Sequence, residues 1–282
     1  MLRAGPFSDE RILRLANRRF VPFYFDLSNR GVAGDPDARA FVVKVKPEYG
    51  GRGVPTPELL VMTPEGKLLG SASNYSSADK VLALMRAMLE QYPRFNQPSQ
   101  AERDATDPIE VAQIKIDLGD YEGAAKALAR DESQMGLYLK GRMAGRRKDW
   151  NAMAKFFQQV TKAELLDDVR VELARRYWDK GDFKKLRALM SKVEPKSNRY
   201  TEARYYEGLA LFHTGRKKKA TEIWAKTIKG CSQDPWIYRC DWAYCNAKAK
   251  GGRTMFSSAG KRTSLLNRIG YMGRKNPDLA PR

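Results

Sequence analysis

One histidine and three cysteines are the whole supply of ready ligands and nucleophiles in these 282 residues. The cysteines, Cys231, Cys240 and Cys245, are odd in number and contain no CxxC pair. That spacing excludes a disulfide framework and the usual zinc ligand sets, and leaves buried thiols of a reducing compartment. A histidine-dependent triad or metal site would have to use His213 alone, so His213 reads as a satisfied or exposed side chain. Long apolar runs are missing as well, and a membrane-spanning helix needs about 20 such residues. The first twenty residues hold Arg3, Asp9, Glu10, Arg11, Arg14, Arg18 and Arg19, which is unlike a secretory signal; the expected localisation is cytoplasmic. Gly260-Lys261 is not a phosphate loop, because Met255 stands where the earlier glycine belongs and Arg262 where Ser or Thr follows the lysine. No cofactor and no metal is expected.

Acidic residues are outnumbered: 33 Asp and Glu against 52 Lys and Arg leave a net charge of +19. Such a surface favours anionic partners. The excess is concentrated late in the chain, where Lys250, Arg253, Lys261, Arg262, Arg268, Arg274, Lys275 and Arg282 face a single acid, Asp278. Elsewhere, charge runs have local explanations. Asp167-Asp168 is expected to cap a helix start, and Lys217-Lys218-Lys219 to be a solvated helix start.

The first ninety-odd residues read as helix, strand, connection, hairpin, helix. Ser8 is placed to cap a helix carrying Asp9 and Glu10 in its first turn. Phe20–Leu27 is aromatic and branched, as in a strand. Leu59–Met62 and Leu68–Ser71 flank Pro64-Glu65-Gly66, a hairpin signal. Ser76 and Asp79 mark a further helix start, with Val81, Leu82, Met85, Met88 and Leu89 as its apolar stripe.

The segments PFSDERILRLANRRFVPFYFDL and VPTPELLVMTPEGKLLG resemble the thioredoxin-like superfamily. The resemblance implies a cis-proline before the hairpin strand, best matched by Pro57, with Pro55 as the alternative. It also places the redox CxxC and the central first strand ahead of Met1, and no cysteine occurs before Cys231. A domain of that kind without its nucleophile is a binding platform rather than an oxidoreductase. The missing strand would be replaced by direct pairing, by the N-terminal residues, by a partner's strand, or by a longer native chain.

Pro93–Asp107 is polar, holds two prolines and reads as a linker. Beyond it a pattern recurs. Gly119, Lys148, Gly181 and Gly215 are spaced by 29, 33 and 34 residues. In the same register stand the small residues Ala112, Gly141, Ala174 and Gly208, and the aromatics Tyr121, Trp150 and Phe183, with Lys217 in the fourth place. Ala124, Met153, Leu186 and Ala220 follow, then Leu128, Phe157, Met190 and Trp224. Small residues let paired helices approach and large ones fill the gap between pairs. The pattern resembles tetratricopeptide repeats. A fifth helix, started by Asp234 and Pro235, runs through Trp236, Tyr238, Trp242 and Tyr244.

The expected fold class is therefore α+β: a truncated thioredoxin-like domain over 1–93, a linker over 94–107, an all-α tetratricopeptide-like solenoid over 108–250, and a basic segment over 251–282. The order of domains is similar to that of chaperedoxin-type co-chaperones. The repeat resemblance assigns a groove to Ile109 and Gln113, to Tyr138, Arg142 and Arg146, to Val171, Arg175 and Trp178, and to Tyr205, Leu209, Phe212 and His213. Arginines among aromatics suit an extended or acidic peptide, whereas the Lys/Asn carboxylate clamp of chaperone-tail receptors does not map onto these positions. The competing expectation is that this face packs on the basic C-terminal segment or on the first domain. Function divides three ways: a non-catalytic adaptor or chaperone-like binder, a nucleic-acid or ribonucleoprotein binder acting through charge, or a thiol oxidoreductase whose reactive segment lies outside this sequence.

Overall fold

The computed structural model describes residues 9–21, 36–45, 47, 58–73, 78–230, 236–248 and 277–280. They are mostly helical, with one two-stranded antiparallel sheet, and the chain divides into two compact units, Met1–Gln100 and Ala101–Arg282.

In the first unit, α1 (Glu10–Arg19) starts at Asp9, whose carboxylate accepts from the Arg11 amide at 2.9 Å and from the Arg11 guanidinium at 2.8 Å. Capping thus falls one residue later than Ser8, which lies outside the described residues. Phe20 ends the helix in extended conformation, but most of the strand expected over 20–27 is outside the described residues, as is Pro57. The connection after it contains an unforeseen helix, α2 (Pro36–Val45). β1 (Glu58–Met62) and β2 (Leu68–Ser73) pair antiparallel. Pro64 and Glu65 make the turn and Gly66 takes φ of 83°, with the Gly66 amide donating to the Thr63 carbonyl at 2.9 Å and the Thr63 amide to the Lys67 carbonyl at 2.9 Å. This is the type I turn followed by a left-handed residue that three-residue hairpin loops favour. α3 (Ala78–Gln91) packs on β2 and on α1. Its Val81, Leu82, Met85 and Leu89 are buried with Ile12 and Leu15 of α1, each burial stabilising by about 1.5–3 kcal/mol. Arg11 also pairs with Asp79 across this contact at 2.9 Å.

The polar stretch 94–107 is not structureless: a 3-10 turn, Pro93–Phe95, and a short helix, α4 (Gln100–Asp104), lie in and beside it. Next come α5 (Pro108–Leu118) and α6 (Tyr121–Ala127), α7 (Gln134–Arg146) and α8 (Trp150–Gln158), α9 (Ala163–Asp179) and α10 (Phe183–Met190), α11 (Tyr200–His213) and α12 (Lys217–Gly230), then α13 (Trp236–Lys248). Each first helix packs on its own second helix and on the first helix of the next pair, and α11 and α12 both pack on α13.

The turns inside the four pairs are equivalent. Gly119, Gly181 and Gly215 have φ of 83°, 67° and 80°, and Lys148, at 60°, is the one non-glycine with positive φ among the described residues. In each, the next residue's amide donates back five positions: Asp120 to Lys115, Asp149 to Ala144, Asp182 to Tyr177 and Arg216 to Leu211, at 2.8–2.9 Å. These bonds satisfy carbonyls that a helix end leaves open. Asp120, Asp149 and Asp182 then cap the second helices through the amides of Gly123, Ala152 and Lys185; Arg216 gives the fourth no such cap.

The crossing positions explain the alternation of small and large. A Cβ on Gly141 would lie 2.3 Å from the Phe157 ring, and one on Gly208 2.2 Å from the Trp224 indole. Ala112, Ala124, Leu128, Leu186, Met190, Ala220 and Trp224 are fully buried. Asp167 and Asp168 do not sit at a helix start, since α9 begins four residues earlier. Asp167 instead accepts from Arg170 at 2.5 Å and from the Glu194 amide at 3.2 Å.

Candidate functional site

The face lined by the first helices carries a polar path. Gln113 on α5 donates to Asp117 at 2.7 Å and accepts from Arg142 Nη1 on α7 at 3.2 Å. Arg142, buried at 4% exposure, has its Nε 3.9 Å from Glu172 Oε1 on α9. Glu172, also buried, pairs with Arg175 Nη1 at 3.1 Å and with Arg199 Nη2 at 3.6 Å. Arg199 adds Asp168 and Glu202, each at 2.9 Å. One carboxylate is thus ringed by guanidiniums from three successive pairs or their entry. Burial alone would raise the Glu172 carboxyl, but Arg175, Arg146, Arg142 and Arg199 outweigh it and hold the group far below the usual glutamate range.

Arg142 and Arg175, assigned to an incoming acidic peptide by their register, are therefore already matched from within, and Arg146 contributes its charge to the same carboxylate. Tyr138 stacks on Phe157 at 6.0 Å between ring centroids and lies under the Arg142 guanidinium. Burial, and then the charge of Glu172, push its phenol well above the ordinary range.

The remaining assigned residues gather at the far end. His213 stacks on Phe183 at 4.8 Å and meets Trp178 and Phe212 edge-on at 5.5 and 5.7 Å. Tyr205 packs against Tyr206 and Trp236 at 5.7 and 5.6 Å, and Arg239 lies over the Trp236 ring at 4.6 Å. Burial, then Glu202, push the Tyr206 phenol up to about 12. Phe212 also faces Trp224 and carries Lys217 over its ring.

Residues 277–280 sit on this aromatic end. The Tyr205 hydroxyl donates to Asp278 Oδ2 at 2.5 Å, and His213 Nε2 lies 2.6 Å from the Asp278 carbonyl. A carbonyl only accepts, so Nε2 carries the hydrogen. Leu279 packs on the buried cluster that includes Val171, Ala174, Trp178 and Tyr205. Of the two readings left open for this face, packing on the C-terminal segment is present at its α11–α13 end.

Register reasoning did not find Glu172, Arg199, Trp236 or Asp278. Asp278 had a visible signal, being the single acid of the basic segment. Glu172 had a weaker one, three residues before Arg175 on the same helix. Cys240 and Cys245 are buried free thiols, and Cys231 lies outside the described residues. Among the described residues no helix is long and apolar enough to cross a membrane, and no cluster of His, Cys, Asp or Glu is arranged to hold a metal ion. No protein-family model matches the chain, and neither a curated protein nor a solved structure matches it.

Proposed function

We propose that this chain is a non-catalytic adaptor: a tetratricopeptide-like array that binds an extended peptide on its first-helix face, joined to a thioredoxin-like unit without redox chemistry. The observation that carries the reading is the repeated register. Four left-handed turns at Gly119, Lys148, Gly181 and Gly215, each closed by the same backbone bond, set the first helices side by side. Such a ladder offers the partly exposed positions of its first helices, Ile109, Gln113, Arg146, Phe212 and His213 among them, to a ligand lying across it, the general mode of solenoid recognition. The β1–β2 hairpin followed by α3, with α1 ahead of them, supports the thioredoxin-like reading of the first unit.

Peptide-display selection on the full chain tests this. The expected result is an enriched consensus whose affinity falls about tenfold on His213→Ala, the scale of one lost hydrogen bond with its packing. No enrichment, together with a labelled RNA or DNA shifted at physiological ionic strength, would transfer the function to the net charge of +19, whose signature is affinity falling steeply with salt. Reduction of insulin by the purified chain would remove the non-catalytic reading.

A further inference from the structure

The segment seated on α11 and α13 identifies its own chemistry. From Lys250 onward eight named cations face one acid, and that acid, Asp278, is the residue docked. The docked segment is held by contacts of three kinds. The side chain accepts from the Tyr205 hydroxyl, the main chain accepts from His213 Nε2, and the next side chain, Leu279, enters the apolar cluster. Both donors are pre-set. Tyr205 is braced by Tyr206 and Trp236, and His213 is held by its stack on Phe183 and its edge contact with Trp178. A side-chain contact, a main-chain contact and an apolar anchor on consecutive residues are the elements of peptide recognition, in which backbone bonds supply affinity and side-chain pockets supply selectivity.

We propose that the α9–α11–α13 end of the array is a recognition site for an aspartate followed by a branched aliphatic residue, and that residues 277–280 occupy it in cis as a built-in competitor. The proposal rests on the adaptor reading and names both its ligand class and its regulation. Pro277, before the aspartate, fixes one φ of the segment and lowers the entropy lost on docking. A ligand on the same chain competes at an effective concentration up to about millimolar. A trans peptide with an intrinsic Kd of about 100 μM is therefore weakened about tenfold while the resident segment is seated.

The probe is a fluorescein-labelled peptide Asn-Pro-Asp-Leu-Ala-Pro, titrated by fluorescence polarisation against the full chain and against the full chain carrying Asp278→Ala and Leu279→Ala. The expected result is binding about tenfold tighter to the double variant. Adding Tyr205→Phe, which removes a hydroxyl and leaves the ring, should then weaken the peptide about ten- to hundredfold. A peptide with Ala in place of the aspartate should bind the double variant weakly and be indifferent to Tyr205→Phe. Equal affinity for both chains, or no binding to the double variant, overturns the proposal. Display-selected peptides that bind wild type and double variant equally would preserve the adaptor reading while sinking this one; the absence of any peptide binding would remove both.

Discussion

Replacing Lys148 with glycine should stabilise the second unit, although it deletes a side chain. Lys148 occupies the turn position that glycine fills in the three equivalent pairs, at φ of 60°. A left-handed backbone costs an L-residue about 1–2 kcal/mol, while a glycine adds unfolded-state entropy worth about 0.5–1 kcal/mol. The difference favours Lys148→Gly by about 0.5–1 kcal/mol. The side chain is exposed, so little packing is lost. For a chain of this length the gain raises Tm by about 1–4 °C, and it should appear in urea as a higher midpoint with unchanged m. Gly181→Ala is the mirror experiment. A Cβ there meets nothing within 4 Å, yet φ is +67°, so the loss is a backbone term alone and should be about 1 kcal/mol. A neutral or destabilising Lys148→Gly, beside a neutral Gly181→Ala, would refute the claim that the four turns share one backbone.

Three further predictions follow from the packing and charge. Gly208→Ala puts a methyl 2.2 Å from the Trp224 ring and should cost about 1–3 kcal/mol, read by calorimetry, with the Trp224 fluorescence shifted. Glu172→Gln leaves the buried Arg142 guanidinium and the partly buried Arg175 without their carboxylate and should cost about 3–5 kcal/mol at neutral pH. Because the folded-state carboxyl is held below its ordinary value, its contribution is present above the unfolded glutamate range and is lost as pH falls below about 4.3 toward the folded value. Urea midpoints taken from pH 7 downward should therefore decline for wild type and converge on the Glu172→Gln variant. In the first unit, Leu15→Ala empties a site 1% exposed between α1 and α3 and should cost about 2–5 kcal/mol, seen as loss of hydrogen-exchange protection in α3 before any in α7–α12.

The parts of the fold legible in the sequence are those where a backbone or steric demand selects a residue type at fixed spacing. Gly215 must adopt positive φ, and Gly208 must admit the Trp224 ring, so both mark their helices plainly. Lys148 breaks the letter of the pattern and keeps its geometry, which is why register was a better guide than residue identity. α2 was missed because its sequence lies between Gly- and Pro-containing segments and is only ten residues long; its signals were Pro36 at the first position and the apolar residues Phe41, Val42 and Val45. The site was less legible than the scaffold. Repeat spacing places Arg142 and Arg175 on one face, but it is silent on whether their charge is answered from within, because Glu172 reaches one from a neighbouring pair and the other from its own helix. The docked Asp278 lies 65 residues beyond His213 in the chain, a pairing that no local periodicity encodes.

Hydrogen–deuterium exchange of the full chain, with and without a saturating display-selected peptide, tests the central claim most directly. New protection should fall on α9, α11 and α13, with the hairpin of β1 and β2 unchanged. Protection confined to residues 58–91, or spread evenly over the basic surface and abolished by salt, would contradict the account.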